Sequence, residues 1–336
     1  MRSVPAAAAV TAAGTAALCA AGCFAAQQQP GHPATLPEAE LELEQQPEPE
    51  ELPERWAQEL QSTDFSFGEG DRRVTLQLYV VRPAAILADA NRAGKVSAVN
   101  DIDTTGLAAW GLADTLSAFV AERRKMVEGK RVLELGCGRG MCGLLAAHWA
   151  STVVISDYEP AVLALARRNV EANLASLRAQ PTVERLVWSR SPAACDSCGL
   201  FDVLLGSELL YHETDIGALL ASAEHHMDRG AVFVTVYHAR VWGITSNLKA
   251  AAKEQGMAIQ FVDVSTLCKE EASSLAANEA SNYCCFLCRE LEAEATLAPW
   301  LAGLRLVEVT DEDNGQEQDE DSEEDAAGAG MRDLFG

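Results

Sequence analysis

Positive charge is scarce in this sequence. Lys and Arg number 26 against 50 Asp and Glu, a formal charge of −24 at pH 7, and the bases gather into no stripe. A surface that grips a phosphate backbone needs such a stripe, so a nucleic-acid substrate is not expected. No run of about 18 strongly apolar residues occurs, so no membrane span is expected. Glycine is missing where a dinucleotide site would need it. Gly136, Gly138 and Gly140 are spaced G-x-G-x-G, and Met141 stands where the G-x-G-x-x-G fingerprint requires glycine. Cysteine is abundant, but metal-ligand spacing is not. Of two C-x-x-C pairs, Cys195/Cys198 and Cys285/Cys288, the second lies in a strand-like stretch. Residues three apart on a strand point to opposite faces, so no zinc site is expected. The thiols read as small buried apolar groups in a reducing compartment, the cytoplasm or the nucleus.

What is present is unevenly distributed. Eight acids fall between Glu38 and Glu54 and ten between Asp311 and Asp325, while of the bases only Arg2, Arg55 and Arg332 lie outside 56–310, so most of the net negative charge belongs to the ends. Residues 1–26 are alanine-rich with one base, Arg2. They read as a disordered leader, with a signal or transit peptide as the alternative. The Pro-, Gln- and Glu-rich stretch that follows extends this leader over 1–61. A folded domain is expected over 72–309 and a solvated acidic tail over 310–336.

Inside the domain, residues 74–80 alternate apolar and polar, predicting a half-buried strand. A helix is predicted from Gly106 to about Val127, behind a cap near Thr105, on the stripe Leu112, Leu116, Phe119 and Val120. Trp110 falls off that stripe, and either packs elsewhere or closes over a ligand. Then come apolar runs at 132–135, 152–156, 183–188, 201–205, 231–237, 258–264 and 283–288, mostly separated by helical stretches. This alternation predicts an α/β, Rossmann-like, doubly wound, mostly parallel seven-stranded sheet with helices on both faces.

Ligands in such sheets bind beyond the carboxyl ends of the parallel strands. The polar insertions Gly136 to Gly140, Asp157, Glu208 with Tyr211, and His238 all fall at strand ends. The three glycines let a ligand approach the backbone. Asp157, about 20 residues further on, stands where an acid takes ribose hydroxyls. Together with the G-x-G-x-G spacing this favours S-adenosylmethionine over NAD. Glu208 and Tyr211, three apart on an expected helical turn, can face one cavity.

Trp110, the run from Val132 to Gly140, Ser156-Asp157, Trp188, and the run from Phe201 to Tyr211 with its E-x-x-Y resemble the seven-β-strand protein lysine methyltransferases marked by a D/E-x-x-Y motif after strand four. The resemblance covers about 72–309. It implies that Glu134, Gly136, Gly138, Asp157, Trp188 and Ser207 line S-adenosylmethionine, with Trp110 nearby and Gly140 completing the turn. It also implies that Glu208 and Tyr211 face the acceptor, a lysine of a protein substrate, in a monomeric enzyme. Glu208 departs from the Asp of many relatives. A small-molecule or protein-histidine methyltransferase on the same fold is the alternative, and a non-catalytic cofactor-binding protein is the third.

Overall fold

A computed structural model describes residues 51–82, 98–99, 102–103, 105–108, 110–192, 199–211, 214–239, 241–268 and 282–309. The tail expected over 310–336, the leader up to residue 50, and Cys195 and Cys198 lie outside the described residues.

The fold begins earlier than residue 72. Helix α1 (Glu54–Ala57) buries Trp56 completely. Strand β1 (Leu60–Phe67) then pairs antiparallel with β2 (Val74–Val81), from Leu60 opposite Val81 to Phe67 opposite Val74. The expected boundaries, disorder to residue 61 and a domain from 72, are therefore corrected. β1 carries Gln61, Ser62, Thr63, Asp64 and Ser66 and shows almost no buried face. It is held by its ladder to β2, which leaves no alternation to find in the sequence. β2 behaves as its pattern predicts, with Leu76 and Leu78 fully buried.

A two-residue ladder of β3 (Ala98–Val99) and β4 (Ile102–Asp103) precedes helix α2 (Gly111–Glu122). The sheet then unfolds in order: β5 (Arg131–Glu134), α3 (Met141–Ala146), β6 (Thr152–Asp157), α4 (Pro160–Asn173), β7 (Thr182–Arg185). After β7 come β8 (Phe201–Ser207), α5 (Ile216–His226), β9 (Met227–His238), α6 (Ile244–Glu254), β10 (Met257–Asp263), β11 (Asn282–Arg289) and α7 (Ala293–Leu301). The order across the sheet is β10-β11-β9-β8-β5-β6-β7. β11 runs antiparallel to both neighbours, and the pairs among β9, β8, β5, β6 and β7 are parallel. The chain winds from β5 out to β7, then returns and winds the other way through β8 and β9. Right-handed crossovers place α3 and α4 on one face and α5 and α6 on the other, so the doubly wound, Rossmann-like α/β architecture expected from the sequence is the one observed. The reversal opens a crevice between the carboxyl ends of β5 and β8.

Helix α4 holds the hairpin to this sheet by an unusual device. Asn173 Oδ1 accepts from Gln77 N at 3.0 Å while its Nδ2 donates to Gln77 O at 2.8 Å. Asn169, one turn earlier, repeats this with Tyr79 N at 2.6 Å and Tyr79 O at 3.2 Å. Two asparagines four apart thus stand in for a neighbouring strand along β2. Asn169 Nδ2 also donates to Arg139 O at 3.0 Å, which ties the hairpin to the glycine turn. Asn169 is fully buried, so Asn169→Ala leaves three backbone groups unpaired. We expect it to cost about 2–3 kcal/mol in urea unfolding; a loss under about 0.5 kcal/mol would show that water replaces the amide without penalty.

Candidate active site

The site is built from the turn after β5. Gly136, Gly138 and Gly140 have φ of 57°, 50° and 77°, a region that side chains disfavour. Space also demands glycine. A Cβ on Gly136 would lie 2.5 Å from Leu209 and 3.2 Å from Trp188, and one on Gly138 would lie 3.0 Å from the Gly106 carbonyl. Gly140 differs from the other two. It precedes α3 and packs against Ile155, and among the glycines of the motif only Gly136 and Gly138 line the cavity.

Two acids brace the turn. Glu134, 4% exposed, accepts from Cys142 N at 3.3 Å and from Gly143 N at 2.9 Å, and so holds the start of α3 against β5. Asp157 closes β6: one oxygen accepts from Gly138 N at 3.2 Å, the other from Tyr158 N at 2.9 Å and Glu159 N at 3.2 Å.

Burial pushes the Glu134 carboxyl up to about 8, against the pull of its two backbone donors. The folded state therefore holds this proton more tightly than the unfolded chain does. Its stabilising contribution is complete below the ordinary carboxylate range and is lost as pH rises to about 8. Glu134→Gln should remove this dependence. Between pH 5 and 8 the wild type should lose stability relative to the variant, by at most about 1.4 kcal/mol per pH unit. Parallel stability curves over that range would refute the assignment.

The opposite wall comes from segments that the sequence placed differently. The helix predicted from Gly106 starts only at Gly111. Thr105–Leu107 forms a 3-10 turn, and Trp110 is the extended cap residue of α2, with φ −108° and ψ 128°. Its indole N–H donates to Thr105 O at 2.9 Å. Gly106 accounts for the break, since Val162 packs where its side chain would be, 2.7 Å from the position of a Cβ. Trp110 lines the cavity from that cap. Trp188 lines it too, from three residues beyond β7, which stops at Arg185.

Glu208 and Tyr211 follow β8, and they are not on a helical turn. Glu208 has φ 57°, the sole non-glycine residue with positive φ among the described residues. Its N–H donates to Val236 O at 2.8 Å, which carries the β8–β9 ladder one residue past Ser207 before the chain kinks away. The Thr214 hydroxyl then accepts from Tyr211 N at 3.2 Å and donates to Leu209 O at 2.7 Å, pinning the loop. Both Glu208 and Tyr211 line the cavity nonetheless, as does Ser207, whose Oγ is buried without a hydrogen-bond partner among the described residues. A non-glycine residue held in this conformation costs about 1 kcal/mol or more, and such strain concentrates at functional sites.

These walls enclose about 350 Å³. Nine of the ten residues singled out from the sequence meet there; Gly140 stands behind it. The sequence reading missed Arg139, Glu159, Thr214 and Asp215, all of which line the cavity. Arg139 had a signal, lying inside the glycine motif, and Asp215 caps α5 through Ala218 N at 3.0 Å. The lining thus holds five acids, Glu134, Asp157, Glu159, Glu208 and Asp215, and one cation, Arg139. Glu134 keeps its proton up to about pH 8 and Asp215 pairs with Arg190 at 2.7 Å, so Asp157, Glu159 and Glu208 carry the charge that repels a pyrophosphate and favours a ligand with positive charge and hydroxyl donors.

Comparison with known proteins agrees with this geometry. The model of the lysine methyltransferase family matches residues 98–254. The chain is 35% identical over 117 residues to the protein N-lysine methyltransferase METTL21A of Danio rerio, covering 34% of this chain and 53% of that one. It is 30% identical over 162 residues to METTL21A of Mus musculus, covering 47% of this chain and 72% of that one. It is also 32% identical over 140 residues to the histone-arginine methyltransferase METTL23 of Xenopus laevis, covering 40% and 58%. The chain thus spans about half the length of the first of these relatives and nearly three quarters of the second. With the G-x-G-x-G turn, the seven-stranded sheet and the matched segment coinciding on one cavity, the chain belongs to the lysine methyltransferase family.

Proposed function

We propose that this protein binds S-adenosylmethionine in the acid-lined cavity and transfers its methyl group to the Nζ of a lysine in a protein substrate. The observation that carries the reading is the five-acid wall with Glu208 and Tyr211 at the carboxyl end of β8. The residues present fit the cofactor on three counts. The glycine turn has no room for side chains, the lining is negative where the ligand is cationic, and Ser207 Oγ lacks a partner among the described residues. Asp157 would receive ribose hydroxyls, Trp110 and Trp188 would flank the flat parts, and Gly136, Gly138, Glu134 and Ser207 would shape the remainder, with Gly140 supporting α3. When bound, S-adenosylmethionine supplies an electrophilic methyl group on a sulfonium.

The chain's own task is then to deliver a neutral amine. A lysine with a pKa of about 10.4 is neutral in roughly one part in 10³ near pH 7, about 4 kcal/mol uphill. A carboxylate beside it would raise that pKa further. Glu208 is therefore an orienting group for the incoming ammonium, with Tyr211 as its hydroxyl partner at the acceptor, and in-line positioning supplies much of the rate.

Incubating the purified protein with methyl-labelled S-adenosylmethionine and a cell extract should place the label on a protein lysine. Because one relative is named a histone-arginine methyltransferase, arginine is the second reading, and label on arginine would establish it. Label on histidine or on a small-molecule fraction would point to the other acceptors, and cofactor binding without transfer to a non-catalytic protein.

We further propose a monomer acting on a protein, not on nucleic acid or at a membrane, in the cytoplasm or nucleus. The sheet edges support a monomer. β7 is four residues long and largely exposed, and β10 is covered by the segment from Arg305 to Val307, through Asp263 N to Arg305 O at 2.8 Å and Val307 N to Phe261 O at 3.1 Å. Among the described residues, Cys137, Cys142, Cys284 and Cys285 are buried thiols outside any disulfide, which suits a reducing compartment. Light scattering and cell fractionation test these two statements.

A further inference from the structure

One cation stands in a wall of acids. Arg139 lines the cavity and is only 5% exposed. A guanidinium offers five N–H donors in a flat fork and stays protonated inside a protein. Its burial is costly unless acceptors meet it. Here the nearest carboxylate oxygen, Asp114 Oδ1, lies 3.8 Å from Nη2, beyond hydrogen-bonding distance. That oxygen is itself buried without a hydrogen bond among the described residues. The Phe65 ring, 5.0 Å from Cζ, covers the guanidinium but accepts none of its N–H groups. The Asp114 side chain is 40% exposed and Arg139's 4%, so the pair is a poor match for so dry a cation.

The geometry points to Arg139 as the anchor for the α-carboxylate of S-adenosylmethionine, a role that rests on the cofactor reading above. The ligand has one negative group and two positive ones. The cavity has the inverse, one cation among five acids. A planar fork pairs with a carboxylate through two N–H bonds, which neither the acids nor the glycine backbone of the turn can reproduce. The placement within the turn also matters. Arg139 O is held by Asn169 Nδ2 at 3.0 Å, and Gly140 follows as the cap of α3, so the backbone that carries the guanidinium is fixed on both sides.

Decarboxylated S-adenosylmethionine is the probe, since it keeps the sulfonium, amine, ribose and adenine and lacks only this group. By calorimetry on the full chain, the wild type should bind S-adenosylmethionine at least about tenfold more tightly than the decarboxylated form, the scale of one charge-assisted hydrogen bond. Arg139→Met should bring the two affinities within about twofold by weakening S-adenosylmethionine alone, and Arg139→Lys should keep an intermediate preference. Equal affinities in the wild type would overturn the assignment without any variant. So would an Arg139→Met protein that keeps the preference or loses both ligands alike. A wild type that binds neither ligand would instead overturn the cofactor reading on which the assignment rests.

Discussion

Tyr211→Phe and Glu208→Gln should each lower kcat/KM for methyl transfer by about 10²–10³-fold while leaving S-adenosylmethionine affinity within about threefold. Glu208 makes the last ladder bond of β8 and Tyr211 lies beyond it, both on the wall that also carries Ser207. The positive φ of Glu208 turns the chain there, and Thr214 fixes the loop that presents Tyr211. Both substitutions keep the shape of this wall. Glutamine preserves the backbone demand at 208 and removes only charge, and phenylalanine preserves the ring and removes only a hydroxyl. A packing role for Tyr211 predicts the opposite result, full activity in Tyr211→Phe or a fall in Tm that accounts for the loss. The kinetic split then separates roles at Glu208. A raised KM for the protein substrate fits an orienting carboxylate, whereas a fall in kcat alone would replace that role with one in the transition state.

Much of this site was legible in the sequence because its inner strands are. Val132 to Leu135 and Phe201 to Leu205 are apolar runs interrupted by one acid each, Glu134 and Asp202, and followed by glycine, close to the signature of strands buried on both faces, and everything beyond their ends shares one edge. Legibility stops where long-range packing decides. Spacing alone suggested a helical turn for Glu208 and Tyr211, since it carries no sign of φ; the kink at Glu208 follows from the β8–β9 ladder. Trp110 was placed by a stripe that continues the helix through Gly106, yet Val162, far along the chain, occupies the space at that glycine. β1 buries only Phe67, too little to reveal it. Asn169 and Asn173 were a missed clue. Two amides four apart on the buried side of α4 have more hydrogen-bonding groups than the helix can use, Asn173 Nδ2 meeting only Asn169 O at 2.7 Å within it, and had to answer to another backbone. Arg139 could be seen within the motif, but its incomplete pairing depends on Asp114 and Phe65, which only the fold brings near.

Asp157→Ala should weaken S-adenosylmethionine binding by about 1.5–3 kcal/mol, roughly 10- to 100-fold, and also destabilise the protein. The double effect follows from where its lone pairs go. A carboxylate has about four acceptor sites, and Gly138, Tyr158 and Glu159 N–H groups take three of them. Asp157 is thus a latch between the glycine turn and the start of α4, and it lines the cavity that would hold the ribose. Removing it leaves three N–H groups in a poorly solvated corner, which by itself would loosen the turn and lower affinity for any ligand. Affinity alone therefore does not establish contact with ribose, but a cycle with S-adenosylhomocysteine and its 2′-deoxy and 3′-deoxy analogues does. If Asp157 accepts a ribose hydroxyl, the wild type should favour the parent over one of these analogues by about tenfold, and Asp157→Ala should lose that preference. A variant that binds all three more weakly but keeps the wild-type ratios would leave Asp157 as a latch only, and the acceptor for ribose would have to be sought in the neighbouring Glu159, which lines the same cavity at 8% exposure.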